Sequence, residues 1–207
     1  MTAARALTAN EGNAIIMVDM NDMPILLRLL RVVSWLGPTK AVRRRFWRWS
    51  KTFVYGLQAR RRGSIGRGVG FLGPTRVNRK TVIGDFSGIG GLTVAGDGEV
   101  RIGHNCHLAP DILILTQNHD YDDGAQIPYG DKFHRKTVTI DDFVWIGQRV
   151  TILPGTSIGE GAIIQGGAVV HGKIPPMAIA GGNPAKVFAM RNEARFRDLK
   201  SRGCYEK

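Results

Sequence analysis

The chain has 207 residues, 43% of them apolar and 22% charged, ordinary globular usage that excludes wholesale disorder and a polytopic membrane protein. Glycine occurs 27 times, well above the usual ~7%, yet without the G-X-Y period of collagen. Formal charge is +12, from 29 Lys+Arg against 17 Asp+Glu.

That charge is local. From Met23 to Gly84 there is no acidic residue and there are 15 basic ones, so the rest of the chain carries 14 basic and 17 acidic groups. One basic surface joined to a nearly neutral body is expected, rather than a nucleic-acid-binding chain throughout. The two cysteines, Cys106 and Cys204, give neither a disulfide framework nor paired zinc spacing, which fits a reducing cytosol. The opening residues lack the basic start and apolar run of a cleaved signal peptide. The most apolar stretch, Pro24 to Leu36, contains Arg28 and Arg31 and falls short of the ~20 residues that span a bilayer.

Residues 1–63 read as a basic, mostly helical segment. A polar lead, 1–22, is expected to be poorly ordered at its start. Helix is expected from Met23 to Gln58 with a break at Gly37-Pro38, and its second piece places Phe46, Trp49 and Phe53 on one stripe with Arg44, Arg45, Arg48 and Lys51 around it.

From about Ile65 the periodicity changes. Aliphatic residues fall at Ile140, Ile146, Ile152, Ile158, Ile164 and Val170, six hits at a spacing of six. Small or β-branched residues follow four later at Val144, Val150, Thr156, Ala162, Ala168 and Ile174. A helix needs period 3.6 and an alternating strand period 2, so neither explains the run. Short strands separated by corners do, three strands closing a triangular coil of about 18 residues whose aliphatics stack into one core, with glycine relieving the corners. The pattern extends upstream through Ile102, Leu108 and Ile114, and more loosely through Ile83 and Ile89, with a slip at Ala95 to Arg101.

Register breaks after Ile114 and resumes at Ile140. Residues 120–139 are therefore an excursion from a rigid scaffold, a favoured place for a site. The repeat is expected to end at the KIPP turn, Lys173 to Pro176, within a 64–187 solenoid. A tail, 188–207, follows with a short charged helix from Asn192 to Arg202. Cys106 occupies an inward offset and reads as core, while His104, His107 and His171 face outward.

The segments IGHNCHLAPDILILTQNHD, VTIDDFVWIGQRVTILPGTSIGEGAIIQGGAVV and IPPMAIAGGNPAKV resemble the hexapeptide-repeat acyltransferases, specifically the galactoside, maltose and nodulation-type O-acetyltransferases and their polysaccharide-modifying relatives. The resemblance covers roughly Ile65 to Arg191. It implies an all-β solenoid, a left-handed parallel β-helix, assembled as a homotrimer with sites between subunits and using acetyl-CoA as donor, with no metal.

The family's general base maps onto His119, and Asn118 and Trp145 onto acceptor-side positions. The chemistry is apt, because an imidazole can take the proton of a sugar hydroxyl as it attacks a thioester. Trp145, Gly147, Gly166, Ala168 and Lys186 map onto positions that line CoA, the glycines and alanine beside the narrow pantetheine arm and Lys186 near the nucleotide phosphates. Trp145 has an alternative use as apolar filler, and Lys173 and Arg191 are further basic candidates near the phosphates for which solvated cations are the favoured reading. Asp111, Asp120 and Asp141 are candidates for orienting His119. Two departures stand out: relatives carry an acceptor-side Asn where this chain reads Gly88 to Gly91, and a Thr-Lys pair where it reads His171-Gly172.

A γ-class carbonic anhydrase shares the fold but needs two histidines five apart, and the five here, 104, 107, 119, 134 and 171, contain no such pair. The expected function is acyl-CoA-dependent O-acetyl transfer to a saccharide, polysaccharide or glycolipid hydroxyl. The alternatives are N-acylation of an amino sugar and a non-catalytic β-helix scaffold. A cytoplasmic location is expected, with residues 23–62 a candidate contact to the inner face of the membrane and no nucleic-acid partner.

Overall fold

The computed structural model describes residues 24–34, 39–123 and 126–205; the lead 1–22, Trp35 and the Gly37-Pro38 break lie outside the described residues. The chain divides after Val54 into two compact units.

The second unit is built on a parallel β-solenoid of about six turns. Its coils stack three faces. The first runs from Ser64–Ile65 to Lys173–Ile174 in six strands, the second from Gly70–Phe71 through Trp145–Ile146 to Ala178–Gly181, and the third from Thr75–Arg76 to Val169–Val170 in five strands. Register is the expected 18 residues per coil: Ile140 opposes Ile158, Ile146 opposes Ile164 and Ile152 opposes Val170. All six of these side chains are buried, as are Val144, Val150, Thr156, Ala162 and Ala168 at the second inward offset. The slip near Ala95 is a longer coil, with Val94 opposite Ile114.

The corners hold positive φ in a column. Gly68, Phe86, Asn105, Phe143, Gly161 and Met177 succeed one another along the stack with φ between 53° and 69°. Only two are glycine, so the reading that glycine relieves the corners accounts for part of them; hydrogen bonds between successive coils, such as Asn105 N–H to the Asp85 carbonyl at 2.9 Å and Phe143 N–H to the His104 carbonyl at 2.9 Å, hold the others.

The repeat runs one strand past the expected KIPP end, within the 64–187 bounds. Ala178–Gly181 adds one more strand to the second face, with Ile179 opposite Ile163, and Lys186–Met190 then returns antiparallel to it. This coil is two residues short, Ala180 opposing Ile164, which hides it from a search at period six. Helix α3, Glu193–Ser201, closes the chain, capped by Asn192 accepting from Arg195 N–H at 2.9 Å. Arg191 is not the solvated cation expected. It is half-buried, donates from Nη1 to the Gly161 carbonyl at 2.9 Å and lies 5.1 Å from the Phe196 ring, which ties α3 to a corner of the stack.

The first unit carries helix α1, Ile25–Ser34, and most of helix α2, Lys40–Arg60. On α2 the expected stripe is present: Phe46, Trp49 and Phe53 form a ladder of rings with centroids 5.8 and 5.6 Å apart.

Candidate active site

His119 ends the strand Gln117–His119, which leaves the third face and pairs antiparallel with Phe133–Arg135, placing His119 opposite Phe133 and Asn118 opposite His134. The excursion is thus a hairpin standing off the solenoid. His119 is half-buried between its own loop's aromatics, 3.8 Å from the Tyr129 ring and 4.2 Å from Phe133. Its Nδ1 faces the Gly130 carbonyl at 3.4 Å. A carbonyl oxygen only accepts, so this contact places the imidazole proton on Nδ1 and leaves the Nε2 lone pair available.

The orienting group is therefore a backbone carbonyl and not one of the three candidate aspartates. Asp111 pairs with Arg149 at 3.9 Å, and Asp141 is exposed at the start of a turn. Asp120, 4% exposed, closes the loop instead: it accepts from the amides of Asp122 and Asp123 at 3.2 and 3.1 Å and meets His134 Nε2 at 3.5 Å. The Asp123 amide, with the Asp122 amide and His134 behind it, holds the Asp120 carboxyl below its ordinary value against the opposing effect of burial. The Gly130 N–H donates to the Asp120 carbonyl at 3.0 Å, so the Asp120 clasp also sets the carbonyl that His119 faces.

The donor-side candidates lie elsewhere, along one edge where the second face turns toward the third. Trp145 is half-exposed between His107 and Ile163 on that face. Gly147 follows it, and a Cβ there would lie 2.5 Å from the Gly166 nitrogen of the next coil. Gly147 is thus required by close coil approach rather than by positive φ. The edge continues through Gly166 to the Gly181–Ala185 loop, whose Ala185 N–H donates to the Val169 carbonyl at 2.8 Å, and ends at exposed Lys186. Ala168 does not join it by its side chain: the methyl is fully buried in the core and the carbonyl accepts from Thr151 N–H.

Asn118 is exposed beside His119. Cys106 is core as expected; its thiol donates to the Asp141 carbonyl at 3.0 Å, and burial pushes it up to about 12, so it is no thiolate nucleophile. Among the described residues no group of three His, Cys, Asp or Glu side chains is arranged around a metal position.

Residues 137–172 match the family model described as bacterial transferase hexapeptide (six repeats). This stretch carries the hexapeptide repeat. The chain is 32% identical over 102 residues to the galactoside O-acetyltransferase of Escherichia coli, covering 49% of each chain. Over 90 residues it is 42% identical to a Schizosaccharomyces pombe protein provisionally named an acetyltransferase, 42% of this chain and 41% of that one. The chain thus spans about half the length of the curated relatives it matches. A galactoside acetyltransferase solved in complex with coenzyme A superposes with TM-score 0.58 at 22% identity, covering 84% of this chain and 87% of that one. That likeness shows the fold, a left-handed parallel β-helix.

Tyr129, Phe133 and the Gly130 carbonyl around His119 were not singled out from sequence. The aromatics were visible in the excursion, but no periodicity inside it indicates which of them return to the histidine.

Proposed function

We propose that the protein transfers the acetyl group of acetyl-CoA to a hydroxyl of a saccharide, polysaccharide or glycolipid. The observation that carries the reading is His119, held at the root of the excursion between the Tyr129 and Phe133 rings with its Nδ1 at the Gly130 carbonyl. In the reaction Nε2 takes the acceptor hydroxyl proton as the oxygen attacks the thioester carbonyl. Backbone amides hold the tetrahedral oxyanion. Collapse breaks the C–S bond, and the imidazolium returns its proton to the departing CoA thiolate. The Nδ1–carbonyl contact keeps the ring in the tautomer that both half-steps need.

Acetyl-CoA is assigned to the edge of Trp145, Gly147 and Gly166, with the backbone of Ala168 beneath it and Lys186 toward the phosphates. Asn118 and Trp145 are assigned to the acceptor. His119 stands on a hairpin from the third face, whereas the edge follows the second face, and a homotrimer brings the hairpin of one subunit to the edge of the next. Solenoid residues 64–187 then hold the chemistry, and 1–63 and 188–207 flank it.

The test is thiol release from acetyl-CoA against simple sugars, polysaccharides, lipid-linked sugars and amino sugars. Acceptor-dependent release with an O-acetyl product supports the reading. Release only with amino sugars gives the N-acyl alternative, and none with any acceptor removes the enzyme reading. Mixed trimers of His119→Ala and Lys186→Ala chains should regain part of the activity that each pure trimer lacks.

A further inference from the structure

Helix α1 presents its apolar residues to solvent. At about 100° per residue, Ile25, Leu29, Val32 and Val33 fall on one stripe with Leu26 at its border, and they are 75, 61, 71, 49 and 47% exposed; Leu27, on the opposite side, is fully buried. A helix that buries one leucine and exposes five aliphatics has a second apolar partner. Helix α2 has the same character. Val42, Phe46, Trp49 and Phe53 share one side, with Trp49 and Phe53 56 and 50% exposed. Exposed Arg45 borders that side and exposed Arg48 and Arg44 continue round the helix away from it, while buried Ser50 and Val54 mark the inward side.

We infer that α1 and α2 form a docking surface for an anionic phospholipid bilayer, with the aliphatic and aromatic stripes entering the acyl boundary and the arginines meeting lipid phosphates. Charge complementarity selects this occupant. No acidic residue interrupts the segment from Met23 to Gly84, which carries 15 basic ones, so attraction to an anionic leaflet is uncompensated along the whole segment. A nucleic acid would use the arginines but not five exposed aliphatics. A second copy of the chain would bring the same positive charge against itself. No helix among the described residues is long and apolar enough to cross a membrane, so the contact is peripheral. The inference is independent of the acyl-transfer reading.

The experiment is flotation of the full-length protein with vesicles of pure phosphatidylcholine and with vesicles containing 30% phosphatidylglycerol, at low and high salt. Expected is binding at least tenfold stronger to the anionic vesicles and tenfold weaker at high salt. Arg44→Glu/Arg45→Glu/Arg48→Glu and, separately, Leu29→Ser/Val32→Ser should each weaken binding at least tenfold while circular dichroism and mass by light scattering stay as in the parent. Brominated phosphatidylglycerol should quench tryptophan fluorescence of the unmodified protein, and Trp49→Phe should lose part of that quenching, a readout that needs no destabilising change. Equal binding to both vesicles, binding unaffected by either variant, a change of oligomeric mass in the variants, or binding of RNA without binding of vesicles would each overturn the proposal.

Discussion

The solenoid and its excursion are built on opposite plans. In the solenoid each inward side chain repeats its neighbour's environment one coil away, as Ile146 does beneath Ile164 and above Leu108. In the hairpin each contact is unique: one histidine, two rings, one carbonyl and one buried carboxylate. Repetition distributes stability over many equivalent positions and leaves none of them special. The excursion gives up that redundancy, and it is there that a catalytic geometry can be set without disturbing the stack.

Substitutions should separate the two plans. The largest effect on stability is expected in the stack. Ile146→Ala removes a fully buried side chain and should cost about 2–5 kcal/mol, measured by chemical denaturation, with any surviving folded protein keeping its turnover per site. Gly147→Val should cost a comparable amount, because its Cβ would sit 2.5 Å from the Gly166 nitrogen and the coils would have to part. A mild effect of either would mean that coil spacing is softer than the packing indicates.

Tyr129→Ala should behave inversely. The ring is half-exposed, so stability should change by no more than ~0.5 kcal/mol, while turnover should fall about tenfold as His119 loses its stacked neighbour, roughly 1.4 kcal/mol of transition-state free energy. Tyr129→Phe should restore it. A loss of folding without loss of turnover would reverse the division proposed.

The smallest effect concerns Asp120. Its folded carboxyl titrates below the ordinary 3.8, so its contribution to loop order is complete above about pH 4 and disappears as pH falls through the lowered value. Asp120→Asn should remove that acid-dependent step from hydrogen exchange of residues 120–135 while the exchange of the solenoid amides stays as it was. A loop whose acid response is the same in the variant would release Asp120 from this role.

The contrast also explains what the sequence allowed to be read. Ile140 to Val170 repeats at six and locates the core, and Cys106 could be placed inward because it falls on the same grid. Ala178–Gly181 escaped because its coil is two residues short, so the period that revealed the other strands skipped it. Arg191 looked like a surface cation because nothing in its neighbourhood signals the Gly161 carbonyl thirty residues upstream. At the root of the excursion the motif singles out His119 as a candidate, but nothing in the sequence indicates its surroundings. Asp120, adjacent in sequence and chemically apt as an orienter, instead clasps the loop, while the partner of Nδ1 is a main-chain carbonyl that no side-chain pattern encodes.

The central claim is that His119 supplies base catalysis from a hairpin that the solenoid does not depend on. It is tested most directly by measuring kcat/KM for acetyl transfer, coenzyme A affinity and thermal stability on the same preparation of His119→Ala. The account predicts a fall of at least ~10²-fold in kcat/KM, with coenzyme A affinity and melting temperature unchanged. Retention of most of the turnover at saturating acceptor, or a loss of turnover that follows a loss of folding, would contradict it.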